Sequence, residues 1–277
     1  FQSVYKNFID SPDLKMRIFN SDGIYRSVLS LSNQYLMNGF NLYFPPSYAM
    51  SLALLSGRAP EATRPYQVRC DNCANLRLMG LDLLSITHLL CNKASDNLPK
   101  NLEVNWYKKY ENNEIDLYAR HKGIGYLKVF RKWEPINNDN YNLLELANTS
   151  LSAFSNDIIL INNIGSSGNF DKPSRPDDLN FKRISEGHIQ ISANIESPAY
   201  IFIPENYSEE WNVNINGEKS KLLNAFGGYM AFKLESGISE VELKYRPFVV
   251  YISIAISLIT LFILITLCFC RKTQITM

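Results

Sequence analysis

A run of apolar residues near the C-terminus constrains this chain more than any other feature. From Phe248 to Cys270 the sequence reads FVVYISIAISLITLFILITLCFC, twenty-three residues without a charge, a Pro or a Gly. At about 1.5 Å per residue, a helix of this length crosses a hydrocarbon core of about 30 Å. We therefore predict a transmembrane helix over 248–270, followed by a short basic tail over 271–277.

The residues in and around this run favour a membrane helix over a helix in a soluble core. A core helix normally keeps a polar stripe, whereas only scattered Ser and Thr hydroxyls interrupt the apolar surface here. Tyr251 near one end and Arg271-Lys272 at the other are typical interfacial anchors. Lys244 and Arg246 nearly balance the basic tail. Local charge therefore does not decide which way the helix is oriented.

The composition is that of a globular chain. Apolar residues make up 46% and charged residues 20%, with a formal net charge of +1. A nucleic-acid binder normally carries a basic excess, so we expect no nucleic-acid partner. Sixteen Tyr and fifteen Phe favour either β-rich structure or a carbohydrate-facing surface, and composition does not separate the two. The chain starts at Phe1 without a signal-peptide pattern, which favours a fragment over a tail-anchored protein.

The first part of the chain, 1–161, mixes helix and strand signals, and we predict an α+β domain there. Ser47 is placed to cap a short helix and Gly57 to end it. The segments IDLYAR and GYLKVF, linked through Gly123 and Gly125, predict a β-hairpin. The remaining signals predict a strand in SITHLLC, a helix from Asn140 to Ala147 and a strand in DIILIN.

The part after this domain divides into a linker and a second domain. Residues 162–180 are rich in Gly, Ser, Pro, Asn and Asp, so we predict a linker. Apolar and polar residues then alternate through 181–246, which predicts a small antiparallel β-sandwich of about six strands. Asn216-Gly217 is the strongest short hairpin signal in the chain. The apolar positions are Ile189, Ile191, Ala193 and Ile195, then Trp211, Val213 and Ile215, then Met230, Phe232 and Leu234, then Val241, Leu243 and Tyr245.

Three cysteines and a histidine in the first domain have the spacing of a structural zinc site. Cys70, Cys73, His88 and Cys91 give C-x2-C-x14-H-x2-C. His88 and Cys91 lie three residues apart on a predicted strand, so their side chains point to opposite faces and a single metal cannot reach both without a bend. We expect no metal and, if the domain is extracytoplasmic, a disulfide between Cys91 and either Cys70 or Cys73. Zinc and free thiols stay open as alternatives.

No self-contained active site emerges from the sequence. The histidines His88, His121 and His188 are far apart and fit no metalloprotease or triad-like spacing, and no phosphate-binding Gly-rich loop occurs. We therefore predict no catalytic residues and no cofactor in this chain. Cys268 and Cys270 at the end of the apolar run suit either apolar filling or reversible acylation.

The end of the predicted sandwich resembles a known family. The segment YIFIPENYSEEWNVNINGEKSKLLNAFGGYMAFKLESGISEVELKYRP runs directly into the apolar helix and is similar to the C-terminal end of the YfhO family. Upstream, MNGFNLYFPPSYAMSLALLSG and NLRLMGLDLLSITHLLC resemble family segments more weakly. Glu209-Glu210 stand where the family often has Pro-Gly, and the cysteines are not typical of it. The matching positions are Tyr207, Trp211, Asn216-Gly217, Asn224, Gly237, Val241, Tyr245 and Pro247.

The resemblance implies that catalysis takes place in a part of the protein upstream of this chain. Members are bacterial multi-spanning proteins of the GT-C glycosyltransferase superfamily that use a polyprenyl-phosphate-linked sugar and glycosylate cell-envelope polymers. Their acidic catalytic residues lie between the first spans, which this chain does not contain. The resemblance thus implies a non-catalytic C-terminal portion with extracytoplasmic domains. Its expected partners are the bilayer, the upstream transmembrane domain of the same protein and a cell-envelope glycan.

Two further hypotheses accompany this interpretation. The alternative function is a membrane-anchored ectodomain that binds a polymer or a protein partner without catalysis. The candidate ligand-binding residues are Tyr207 and Trp211, because aromatic rings stack on sugar faces. Since Trp211 shares its strand face with Val213 and Ile215, the alternation favours a packing role for Trp211 over a binding role.

Overall fold

The structure is a computed structural model, which describes residues 17–20, 35–36, 46–57, 76–92, 105–111, 115–121, 125–185 and 187–275. These residues form helices and mostly antiparallel strands, which confirms the α+β class. The helices are α1 (Pro46–Ser56), α2 (Leu78–Leu83), α3 (Leu143–Ser155) and α4 (Phe248–Ile275).

The strands form three sheets. The N-terminal sheet has the order β2-β1-β3-β5-β4, from β1 (Arg17–Asn20), β2 (Tyr35–Leu36), β3 (His88–Asn92), β4 (Trp106–Glu111) and β5 (Ile115–Arg120). The central sheet has the order β6-β12-β16-β15-β8-β7-β9, from β6 (Lys128–Phe130), β7 (Lys132–Ile136), β8 (Ile158–Asn162), β9 (Gly168–Asn169), β12 (Ala199–Asn206), β15 (Leu223–Ala225) and β16 (Tyr229–Leu234). The outer sheet has the order β10-β11-β17-β13-β14, from β10 (Asp178–Ser185), β11 (His188–Ile195), β13 (Trp211–Ile215), β14 (Glu218–Ser220) and β17 (Gly237–Tyr245).

The central sheet lies between the outer sheet and the helices α1, α2 and α3. Along β12, Ile201 and Ile203 pack into the core shared with the outer sheet. The alternate residues Tyr200 and Phe202 pack into the core shared with the helices. Because both faces of β12 are covered, its sequence is a continuous apolar run rather than an alternating one.

The outer sheet packs on the central sheet as a β-sandwich, and the strands predicted within 181–246 lie in both sheets. The central sheet also contains β6, β7, β8 and β9, which come before residue 181. Ile189 and Ile191 of β11 and Val241 and Leu243 of β17 lie in one buried core with β12 and β16. The Asn216-Gly217 turn has positive φ at both residues, 53° and 84°. These angles are those of a tight hairpin turn between β13 and β14. The hairpin prediction at this turn is confirmed.

The helices of the first part of the chain begin and end for local reasons. Asn142 caps α3, because its side-chain oxygen accepts hydrogen bonds from the backbone N–H groups of Leu144 and Glu145 at 3.1 and 3.0 Å. The Glu145 carboxylate accepts in return from the Asn142 N–H at 3.2 Å, which completes a capping box. Gly57 ends α1 with φ of 69°, as predicted. Ser47 lies inside α1 rather than before it, so the capping role predicted for Ser47 is wrong.

The predicted hairpin of IDLYAR and GYLKVF is also wrong. The first segment is β5, which pairs with β3 and β4 in the N-terminal sheet. The second contains β6, which pairs with β12 in the central sheet. The glycines between the two segments predicted a tight turn. Each strand nevertheless forms its hydrogen bonds with strands elsewhere in the chain, and the two do not pair with each other.

Strands on both sides of the predicted linker share the central sheet. Within 162–180 lie β9 and the start of β10, and β8 before it pairs with β15 after it. Arg131, which follows β6, makes a two-point ion pair with Asp177, at 2.6 and 3.0 Å. Arg131 also donates to Ser197 at 2.7 Å. These contacts hold the end of the linker segment against the sandwich.

The last element is α4, which follows β17 after Arg246-Pro247. The side chains of α4 from Phe248 to Leu264 are exposed. Across the residues that the structure describes, no helix combines the length and the hydropathy that crossing a membrane requires.

Candidate functional site

The outward-facing side chains of the outer sheet form a polar face. They alternate with the buried residues of the same strands, because successive side chains of a strand point to opposite sides. We define the polar face by Lys182, Gln190, Ser192, Asn212, Asn214, Lys219, Glu240, Glu242 and Lys244.

One row of the polar face crosses the whole sheet. Lys182 on β10 is opposite Gln190 on β11, which is opposite Glu242 on β17. Glu242 is opposite Asn214 on β13, which is opposite Lys219 on β14. The row therefore places cations at both edges and amides and a carboxylate in the middle.

A shallow depression lies in the middle of the polar face. Its volume is about 220 Å³. Amide and carboxylate groups line most of it, and each amide supplies both donors and an acceptor. Such groups suit a ligand whose hydroxyl groups donate and accept hydrogen bonds at once. The lining residues are Gln190, Asn214, Gly217, Glu240, Val241 and Glu242.

Glu242 is held in the ionised state by two neighbours. Lys244 Nζ donates to Glu242 Oε1 at 2.7 Å, and His188 Nε2 lies 2.8 Å from the same oxygen. The hydrogen bond from Lys244, and then that from His188, lower the pKa of the Glu242 carboxyl. Glu242 therefore presents a fixed acceptor to the depression near neutral pH.

Glu240 is oriented by its own neighbours. The Ser192 hydroxyl donates to Glu240 Oε2 at 3.1 Å, and the Glu240 N–H donates to Asn216 Oδ1 at 2.8 Å. The second bond ties β17 to the turn between β13 and β14. The edge of the depression at Glu240 is therefore supported by β11 and by the turn between β13 and β14.

The predicted aromatic candidates lie at one end of the sandwich. Trp211 is half-buried against the sandwich core together with Val213 and Ile215. Its ring lies 5.4 Å from that of Tyr245, centroid to centroid. Tyr207 packs against the same core, and burial together with Glu209 raises the pKa of its hydroxyl. Both candidates thus belong to the inner face, away from the polar face.

Of the predicted cysteine and histidine set, the structure describes two residues. His88 and Cys91 are buried on β3, and Cys91 takes part in a disulfide bond. Burial, and then the charge of Lys109, lower the pKa of His88 from 6.5 to about 4. Cys70 and Cys73 lie outside the described residues, so the pairing of Cys91 with one of them stays a prediction. In the described ranges, no three His, Cys, Asp or Glu side chains are grouped in a way that would hold a metal ion.

The sequence-based candidates did not include the polar face. Its residues occupy the polar positions of the same alternation that revealed the sandwich core. Placing those positions side by side required the strand order, in which β17 lies between β11 and β13. That order joins strands far apart in the sequence, so the local pattern does not carry it.

Comparison with known proteins identifies the part of the chain that carries the polar face. The family model described as bacterial membrane protein YfhO matches residues 174–257. Residues 174–257 are therefore similar to the YfhO family. This YfhO region holds every strand of the outer sheet, the candidates Tyr207 and Trp211, and the first turns of α4. His88 and Cys91 lie outside it.

The description of the YfhO family as a bacterial membrane protein supports the predicted membrane localisation of the chain. No curated protein matches the chain, and no solved structure does.

Proposed function

We propose that this chain is the C-terminal, non-catalytic portion of a polytopic membrane glycosyltransferase-like protein, and that its sandwich takes part in recognising a cell-envelope polymer. The observation that carries the proposal is the YfhO match, which runs without a break from the outer sheet into α4. The match therefore covers the outer sheet and the first turns of α4 as one continuous region.

In this proposal, 248–270 spans the bilayer and packs beside the upstream transmembrane domain of the same protein. The sequence supports the span, since twenty-three uncharged residues suffice for about 30 Å of hydrocarbon. Only Arg246-Pro247 separates β17 from α4, so the sandwich lies close to the membrane surface. The sandwich and the first domain lie on the extracytoplasmic side, where the polymers of the cell envelope are.

The polar face supplies the recognition surface. A polymer acceptor rich in hydroxyl groups matches its amides and its fixed carboxylate at Glu242. The upstream membrane domain supplies the chemistry, with a polyprenyl-phosphate-linked sugar as the donor. This chain then holds the acceptor and contributes no catalytic group and no cofactor.

The test uses the full-length protein in bacterial membranes. The double variant Asn214→Ala, Glu242→Gln removes the amide of Asn214 and the negative charge of Glu242 from the depression. We expect the KM for the polymer acceptor to rise about ten-fold, since a lost hydrogen bond to a charged group is worth about 1.5 kcal/mol or more. The kcat and the KM for the sugar donor stay unchanged.

The matched control is Glu235→Gln, on the exposed turn between β16 and β17. It removes one carboxylate from the same sandwich at a distance from the depression. An unchanged acceptor KM in the double variant would contradict a role of the polar face in recognition. Loss of polymer binding with unchanged transfer would favour the alternative, a binding ectodomain without a role in catalysis.

A further inference from the structure

The end of the sandwich nearest α4 carries a fixed pair of aromatic rings. Trp211 begins β13 and Tyr245 ends β17, and the two residues are directly opposite each other in the sheet. Their ring centroids are 5.4 Å apart, with an angle of 52° between the planes. Tyr245 keeps 38% of its surface exposed and Trp211 is half-buried. The pair therefore covers the sandwich core at this end, and part of its ring surface stays exposed.

Hydrogen bonds hold this pair in place. The Tyr245 hydroxyl donates to the carboxylate of Glu210. The N–H of Arg246 donates to the Glu210 carbonyl oxygen at 2.9 Å, and that of Tyr245 donates to the Gly187 carbonyl oxygen at 2.8 Å. The loop before β13 and the turn before β11 are thus both tied to the last residues before α4.

The aromatic pair lies close to the first residue of α4. From Tyr245 to Phe248, where α4 begins, the chain reaches at most about 11 Å. Phe248 and Val249 are largely exposed, and the basic residues Lys244 and Arg246 flank the pair. Trp and Tyr rings with nearby basic side chains are the usual composition of a protein surface at the headgroup level of a bilayer.

We propose that Trp211 and Tyr245, together with Arg246, form a lipid-facing rim that lies in the headgroup layer of the bilayer. This inference rests on the proposed function, since it requires α4 to be in the membrane. The occupant is lipid because the rim continues directly into the apolar, exposed surface of α4. The rim acts as a second anchor that fixes the tilt of the sandwich.

The rim also sets the height of the polar face. Glu242 precedes Tyr245 by three residues on the same strand, which corresponds to about 10 Å. The depression around Glu240 and Glu242 then opens sideways, about 10 to 20 Å above the headgroup layer. A polymer that runs along the membrane surface meets it there.

The rim is tested with the full chain reconstituted in vesicles that contain phosphatidylglycerol and a phosphatidylcholine brominated near the headgroup. Bromine quenches only those Trp rings that contact the lipid. The chain has three Trp residues, and Trp106 is buried while the ring nitrogen of Trp133 donates to Ser166. We expect quenching in the wild-type chain and loss of most of it in Trp211→Phe, which keeps an aromatic ring in the core.

Membrane association is measured in parallel by flotation of the vesicles after washing at alkaline pH. A chain that floats but shows equal quenching in the wild type and in Trp211→Phe overturns the rim and leaves the membrane anchor intact. A chain that does not float overturns the anchor, and with it the rim.

Discussion

Gly80 of α2 packs directly on the backbone of Leu54 in α1. A Cβ atom added at Gly80 would lie 2.3 Å from the Leu54 carbonyl oxygen and 2.8 Å from its carbonyl carbon. Neither of these backbone atoms can move aside without shifting α1. The two helices therefore approach each other through a residue that has no side chain.

The first prediction follows from this contact. Gly80→Ala should destabilise the chain by about 2 kcal/mol, within the range found for overpacked cores. The measurement is urea unfolding of the full chain in detergent, followed by circular dichroism. Gly165→Ala is the matched control, because a Cβ there meets no atom within 4 Å. Equal midpoints for the two variants would contradict the close packing of α1 and α2.

The second prediction concerns the pH dependence of stability. His88 is 4% exposed, and its pKa is lowered from 6.5 to about 4 by burial and by Lys109. The unfolded chain binds a proton here between pH 6.5 and pH 4 and the folded chain does not, so stability falls as the pH falls through this window. From pH 7 to pH 5 this group alone removes about 2 kcal/mol.

The variant His88→Gln should lose this part of the pH dependence. Unfolding midpoints at pH 7 and pH 5 would therefore lie closer together in His88→Gln than in the wild type. The exposed residue His121 provides the control, since His121→Gln should keep the wild-type difference. A wild-type difference in both variants would show that His88 does not carry the effect.

The third prediction concerns Trp211 as a packing residue. Trp211→Ala removes a half-buried ring and its contact with Tyr245, so we expect a loss of about 2 to 3 kcal/mol and a lower melting temperature. Tyr141→Ala removes an exposed ring and should change stability by less than about 0.5 kcal/mol. Similar melting temperatures for Trp211→Ala and the wild type would contradict the packing role and favour ligand binding as the role of Trp211.

The parts of the fold that are local in sequence were predictable. The Asn216-Gly217 turn needs only two residues with positive φ, and the sandwich strands show their inner faces by alternation. A helix was expected over 140–147 and is α3, which extends further, to Ser155.

The parts that depend on distant partners were not predictable from local patterns. β7 and β8 pair in parallel on either side of α3, and β8 then pairs with β15 far along the chain. β5 and β6, expected as a hairpin, belong to different sheets. The polar face was missed for the same reason, since Gln190, Glu242 and Asn214 become neighbours only through the strand order.

The fourth prediction concerns catalysis. The purified chain, incubated with polyprenyl-phosphate-linked sugars and cell-envelope polymers, should transfer no sugar, because the proposed role of this chain is to hold the acceptor. The control is the full-length protein in membranes under the same conditions. Reproducible turnover by the purified chain would place an active site within these residues and contradict catalysis in the upstream part of the protein.

The membrane arrangement of the sandwich is the central claim, and reporter fusions to the full-length protein test it most directly. Alkaline phosphatase, which is active only outside the cytoplasm, is fused after Arg246 in one variant and after Met277 in another. The account predicts an active enzyme after Arg246 and an inactive one after Met277, because 248–270 carries the chain across the bilayer between the two points. Equal activity at both points, or activity only after Met277, would contradict it.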